Sequence, residues 1–424
     1  MFPRVLLLAM AFLPAVYPAG RPRVLVLTDI SSLTAGIREP DDGQSLIRFL
    51  LFSNEFDVEG FVASSNLGHG QVVRPELIQQ AINAYAAVWP NLRRHAANYP
   101  DPALLRERVK AGQPVAGPKV PVEESVGEGK DTEGSKWIVQ TALAPDKRPL
   151  WILIWGGSAD LAQALWRMRD HAEARGKLRV HAVHDQDSTG PWIRKTFPDL
   201  FYILRGDSVR GTYRGGDTSL VSPDWVETNV RVNHGPLGAL YPNYKGGDAW
   251  SGKLGPVRGV KEGDTPTFLS LIANGLNDWE RLDLGGWGGR VVDARDAVEI
   301  DAAAADPNPS MISVYRWRAA WQAEFLARLD WCVREPAKVN HPPVVNLKVR
   351  GNRLDARRSS DPDGDKLSFE WMVYPRTDRN VRIEANGARA RVIAGPGTGA
   401  VHVVLAIRDS GTPALTRYAR AEVQ

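Results

Sequence analysis

Apolar runs of five to seven residues alternate along this chain with longer stretches whose apolar residues recur every three or four positions. "RVLVLTD" (23–29) precedes "DDGQSLIRFLLFSN", and "DVEGFVASSN" (57–66) precedes "RPELIQQAINAYAAVW". In the latter, Leu77, Ala81, Tyr85 and Trp89 recur at a helical spacing of four. "RPLWILIWGG" leads to "SADLAQALWRMRDHAEAR", and "KLRVHAV" and "LFYIL" supply further apolar runs. Continuous apolar strands separated by amphipathic helices predict an α/β fold, with a mainly parallel sheet covered on both faces. Such sheets bind ligands at the carboxyl ends of their strands. The residues to examine are therefore Asp29, Asn66, the stretch 156–160 and the run His184, Asp185, Gln186, Asp187.

The texture changes twice further on. Residues 207–264 are rich in Gly, Pro, Asn and aromatics, which predicts long loops over the ligand-binding edge. After the Pro-rich "REPAKVNHPPVV", short alternating strands and turns ("VVNLKV", "KLSFEWMVY", "ARVIAG", "VHVVLAIRDSG") predict a small all-β sandwich. The expected division is a segment 1–20, an α/β domain over 21–335 and an immunoglobulin-like β domain over 338–424. The first segment, "MFPRVLLLAMAFLPAVYPAG", has one arginine, an apolar stretch from Val5 to Val16 and small residues near Ala19. It reads as a secretory signal peptide, too short to span a bilayer, so a secreted or periplasmic protein with no transmembrane segment after signal removal is expected.

Charge narrows the partners. Fifty-three basic and 49 acidic residues leave a net charge of +4 over 424 residues, without a long basic run. That argues against a dedicated nucleic-acid surface. A single cysteine, Cys332, excludes an intramolecular disulfide.

The chemistry concentrates in carboxylates. Asp29 ends the first strand, and Asp41 and Asp42 open the first helix. Asp41 with Gln44 matches a helix capping box. That explains neither Asp42 nor Asp29. Three carboxylates at one strand–loop–helix junction raise one another's pKa or hold a hard cation, for which Ca²⁺ is the best match. From the residues alone, the cation site and a helix cap with surface charge both stand. In the tail, Asp361, Asp363 and Asp365 alternate in a Gly-containing turn, read either as turn chemistry or as a second Ca²⁺ site.

The strand ending in Thr28-Asp29, the segment from "DDGQSL" to "ASSN" and "WGGSADLAQAL" resemble the nucleoside hydrolase superfamily, and more closely its secreted branch once labelled cellulose-binding proteins. The tail is similar to PKD- or cadherin-like β modules. The resemblance implies a calcium-assisted attack of water on a glycosidic bond of a sugar or nucleoside, or binding of a carbohydrate, including polysaccharide, without turnover. It implies Asp29, Asp42, the Ala159 carbonyl and Asp264 as metal ligands, and Asp41 as the carboxylate that takes the proton of the water. It places substrate contacts at Asn66, which reads equally as a turn-forming asparagine, and at His184, Gln186, Asp187 and Trp192. His234, in "NHGP", would be a displaced acid or a structural loop histidine. Trp287, in "LGGWGGR", would be a stacking platform or the cover of a tight turn. The sequence departs from the family in two places. About ten extra residues separate Asp29 from Pro40, and Gly263 stands where several nucleoside hydrolases carry a histidine as leaving-group acid.

Overall fold

The computed structural model describes residues 20–34, 41–65, 72–115, 117–246, 257–297 and 309–424. Residues 1–19 of the expected signal segment 1–20, and Asn66, lie outside them. Among the described residues no helix is long and apolar enough to cross a membrane.

Six strands form the central sheet: β1 (Arg23–Thr28), β2 (Asp57–Ala63), β3 (Val109–Ala111), β4 (Leu150–Ile154), β5 (Leu178–Ala182) and β6 (Phe201–Leu204). Their spatial order is β3-β2-β1-β4-β5-β6, and every pair is parallel. The helices between them are α1 (Asp41–Leu51), α2 (Pro75–His95), α3 (Pro102–Glu107), α4 (Glu133–Leu143), α5 (Ala159–Arg167), α6 (Ala172–Gly176) and α7 (Thr189–Thr196). Alternation along β1 splits the core into two layers. Val24 and Val26 point into one cluster with Phe49 and Ile82 from α1 and α2. Leu25 and Leu27 point into another with Ile138, Leu161 and Ile193 from α4, α5 and α7. Both faces of β1 are thus dry, which is why its sequence is continuously apolar. The strand order reverses direction between β1 and β4, so a crevice opens where their carboxyl ends diverge.

Beyond β6 the chain forms short helices, α8 (Pro223–Val226), α9 (Gly235–Leu240), α10 (Pro266–Leu269) and α11 (Ile312–Tyr315), a two-stranded ribbon β7 (Val291–Val292) and β8 (Arg295–Asp296), and the longer α12 (Arg318–Trp331). The tail then builds two antiparallel sheets. One contains β9 (Lys348–Arg350), β10 (Arg353–Asp355), β12 (Val381–Asn386) and β13 (Arg389–Ala394). The other contains β11 (Ser368–Val373), β14 (Val401–Arg408) and β15 (Thr416–Val423). They face each other across Leu354, Val392, Val401, Val403 and Val423.

The tail shares no strand with the central sheet, but it is not free-standing. Val404, Ala406 and Tyr418, on the opposite face of the three-stranded sheet, join the main hydrophobic cluster. Tyr418 N donates to Asn274 O at 2.9 Å, and Arg420 donates to Leu276 O at 2.9 Å. Glu324 on α12, completely buried, receives Arg417 at 2.5 and 2.8 Å and Arg328 at 3.1 Å.

Candidate functional site: an acidic centre at the sheet edge

The crevice between β1 and β4 is lined by carboxylates. Asp29 follows β1 and is buried, and Gly156 follows β4 beside it. A methyl group on Gly156 would stand 2.5 Å from Asp29 Cβ, and one on Gly157 would stand 2.3 Å from Ser65 Oγ and 2.7 Å from Asp187 Oδ2. The two glycines of "WGGSAD" therefore allow the turn after β4 to close over Asp29 and Asp187.

Asp41 and Asp42 come from the first turn of α1. Gln44 does not serve as a capping-box partner, as the sequence suggested. Its amide donates to Pro242 O and Gly259 O at 2.7 and 2.8 Å, and its carbonyl accepts from Lys261 N at 2.6 Å. One turn on, buried Arg48 donates to Glu262 at 2.6 Å, and Tyr241 and Thr265 also donate to that carboxylate. The segment 261–265 is thus clamped to α1 from two sides, and Asp264 is delivered to the mouth of the helix. The Asp264 carbonyl accepts from Thr267 Oγ1 at 2.6 Å, and Thr267 in turn accepts from Trp155 Nε1 at 2.9 Å.

Asp41, Asp42 and Asp264 consequently offer one oxygen each, all within 4.8 Å of one another. Asp42 is buried, accepts a hydrogen bond from Thr28 Oγ1 and is a hydrogen-bond neighbour of Asp29. Burial and the charge of Asp41 push its carboxyl up to about 7. Asp41 Oδ1 is buried and has no hydrogen-bond partner among the described residues, while its Oδ2 faces Lys261 Nζ at 3.6 Å. An all-oxygen set this crowded could hold a hard metal ion. Relative to the set inferred from sequence, Asp41 itself enters the converging group and Asp29 stands behind Asp42. Ala159, expected to give a carbonyl, opens α5 directly after the glycine turn and is buried.

The run after β5 is tied into the protein. Asp187 accepts from Ser158 N at 2.9 Å, Ser158 Oγ at 3.1 Å, Thr189 N at 2.9 Å and Thr189 Oγ1 at 2.6 Å, so it fastens the glycine turn to α7. Asp185 forms a two-point pair with Arg194 at 2.9 and 2.6 Å, and Gln186 donates to Trp155 O at 2.8 Å. His184 is exposed. Trp192 is half-buried, edge-on to Phe197. His234 precedes α9 and faces Asp330 at 3.5 Å, at the C-terminal end of α12, rather than any cluster carboxylate. Trp287 is fully buried and edge-on to Tyr418, so it is a packing residue under the β module and offers no surface for stacking. In the tail, Asp361 accepts from the backbone N–H of Asp363 and Asp365 at 2.8 and 3.1 Å, which is turn chemistry. Among the described residues the tail aspartates form no converging metal-ligand group.

Lys261, Glu262 and Arg48 were not singled out from sequence. The signal was present: "VKEGD" places an ammonium three residues before Asp264.

A parallel sheet with this strand order and an aspartate-rich centre at its switch point defines a nucleoside hydrolase-like α/β protein. The chain belongs to the family described as "Cellulose-binding Sde182, nucleoside hydrolase-like domain", whose model matches residues 23–291. A second model, "Cellulose-binding protein Sde0182, C-terminal domain", matches residues 352–424. A solved structure from Saccharophagus degradans, described as a nucleoside hydrolase-related hypothetical protein associated with carbohydrate metabolism, is 30% identical. It superimposes with a TM-score of 0.76 over 96% of this chain and 100% of its own. No curated protein matches the chain.

Proposed function

We propose that the protein is an exported hydrolase of glycosidic bonds, acting at the acidic centre on a nucleoside-like or carbohydrate substrate with a bound Ca²⁺. The observation that carries this reading is the convergence of Asp41, Asp42 and Asp264. Asp42 and Asp264 would hold the cation, with Asp29 and the Ala159 carbonyl as the further donors suggested by the family resemblance. When bound, calcium supplies a polarised water. Asp41 takes the proton of the attacking water through Oδ1, the buried oxygen that no group among the described residues engages. The glycine turn keeps Asp29 and Asp187 at their close distances, and the clamp from Gln44 and Arg48 holds Asp264 in register with α1.

A second reading is a carbohydrate-binding protein without turnover. Lys261 favours it, because its ammonium lies 3.6 Å from Asp41 and so already faces the carboxylate that turnover would require. Gly263, where the resemblance places an acid, favours it too. The apolar stretch Val5–Val16 supports export, and the linker near residues 336–338 supports a two-module organisation.

The test is hydrolysis of nucleosides and aryl glycosides, run with calcium and with chelator. Calcium-dependent turnover that falls by about two to four orders of magnitude in Asp41→Asn supports the hydrolase. Calcium-dependent sugar binding without turnover supports the binder. Asp42→Ala should weaken calcium and sugar together. A protein that binds neither calcium nor sugar overturns both readings.

A further inference from the structure

The outer face of the four-stranded sheet in the tail has a charge pattern that the whole-chain balance hides. Leu354, Ala390 and Val392 turn into the sandwich, so the alternate positions turn outward. The strand register sets Arg350, Arg353, Arg391 and Glu384 in one cross-strand row, and Lys348, Asp355, Arg389 and Asn386 in the next. The two rows line a groove of about 930 Å³.

Like charges directly opposite one another destabilise a sheet, yet the first row aligns three guanidinium groups. The nearby carboxylates do not relieve it. Arg357 engages Asp355 at 2.7 Å, and Arg382 engages Glu384 at 2.7 Å. Among the described residues, no ion pair involves Lys348, Arg350, Arg353 or Arg391, and all four are exposed.

We propose that this groove binds an acidic polysaccharide, one whose sugar rings carry carboxylates. Adjacent strands lie about 4.8 Å apart, so the row of guanidinium groups repeats at close to the length of one sugar ring. Guanidinium forks pair with carboxylates at two points. Each row ends on an acceptor, Glu384 or Asn386, and Asp355 lies between cations. Sugar hydroxyls donate to such acceptors, whereas a densely phosphorylated polymer is repelled by the carboxylates. Among the described residues no aromatic side chain lines the groove, so nucleic-acid bases have nothing there to stack on. No cluster of apolar side chains lines it either, so a membrane has nothing to insert around it.

The experiment is calorimetric titration of the full chain with an oligogalacturonate at low salt. Chelator is present throughout, so that the acidic centre plays no part. The arms are a neutral cello-oligosaccharide, a single-stranded oligonucleotide of equal charge and phosphatidylserine-containing vesicles. The expected result is binding of the oligogalacturonate, weakened as salt rises, and about tenfold loss in the double variant Arg353→Gln/Arg391→Gln. The neutral sugar should not compete. Both substitutions sit on the surface, and an unchanged melting curve confirms that the variant is folded. Absence of binding, wild-type affinity in the double variant, or tighter binding of the oligonucleotide or the vesicles would each overturn the proposal.

Discussion

Replacing Glu324 by Gln tests how firmly the β module is joined to the α/β core. The carboxylate is buried between Arg417 of β15 and Arg328 of its own helix. Arg328 keeps Glu55 at 2.7 Å, whereas among the described residues Arg417 makes no other direct ion pair and is left with only the longer-range charge of Glu55. Breaking one side of a buried pair costs about 3–5 kcal/mol. Titration gives a second route to the same quantity. Burial would raise the Glu324 carboxyl, but Arg417 and Arg328 outweigh it and hold the group at about 2, against an ordinary 4.5. A lowered carboxyl stabilises the fold fully above pH 4.5, and that stability is lost as pH falls from there through about 2. The difference is worth about 3 kcal/mol.

Both point in the same direction, and the size of the thermal shift then reports cooperativity. If the whole chain melts as one unit, unfolding entropy near 2.1 cal/mol/K per residue makes the shift about 4–6 °C. If the module of about 85 residues melts alone, the same energy lowers its transition by about 20 °C. Calorimetry at pH 7 measures which, and the acid limb of stability between about pH 4.5 and 2 should flatten in the variant. A shift below about 1 °C, or an unchanged acid limb, would refute the assigned role of Glu324.

Other outcomes follow from the centre itself. Gly156→Ala brings a methyl group to 2.5 Å from Asp29 Cβ and should cost about 1–3 kcal/mol, read as a lower denaturation midpoint together with weaker calcium binding. Asp187→Ala strips the acceptor from Ser158 and Thr189, so stability should fall by about 1.5–3 kcal/mol. Its loss of sugar affinity should track the loss of fold, and sugar binding that fails in a fully folded variant would make Asp187 a direct contact instead. Lys261→Met removes a positive charge 3.6 Å from Asp41 and should tighten calcium by roughly tenfold, measured by titration; weaker binding would show that the ammonium organises the centre rather than opposing the cation.

The sheet was legible because β1, β4 and β5 are buried on both faces and their apolar runs say so. Asp41 and Asp42 were legible because a carboxylate at a strand or helix end of an α/β sheet is already near the ligand edge, whereas Asp264 was reached only through the family resemblance. The polar run 184–187 looked like a sugar-binding strip, but the partners of Asp187 and Asp185 sit in other segments, at Ser158, Thr189 and Arg194. No local pattern announces that pairing. Trp287 was ambiguous for a similar reason: what covers it is Tyr418, 131 residues away. The basic face of the tail escaped because its cations are scattered through short strands and meet only in cross-strand register.

The seam between the tail and the core also bears on ancestry. Tyr418 O lies where a side chain on Gly275 would begin, at 1.9 Å, and Arg420 fills the carbonyls of Leu276, Leu284 and Gly285. A module that fits this closely does not travel between genes as a detachable cassette. A gene fusion bringing a different β domain to this core would have to match that glycine, those carbonyls and the Glu324 carboxylate at once. The two parts are therefore expected to descend together, with substitutions on one side of the seam answered on the other.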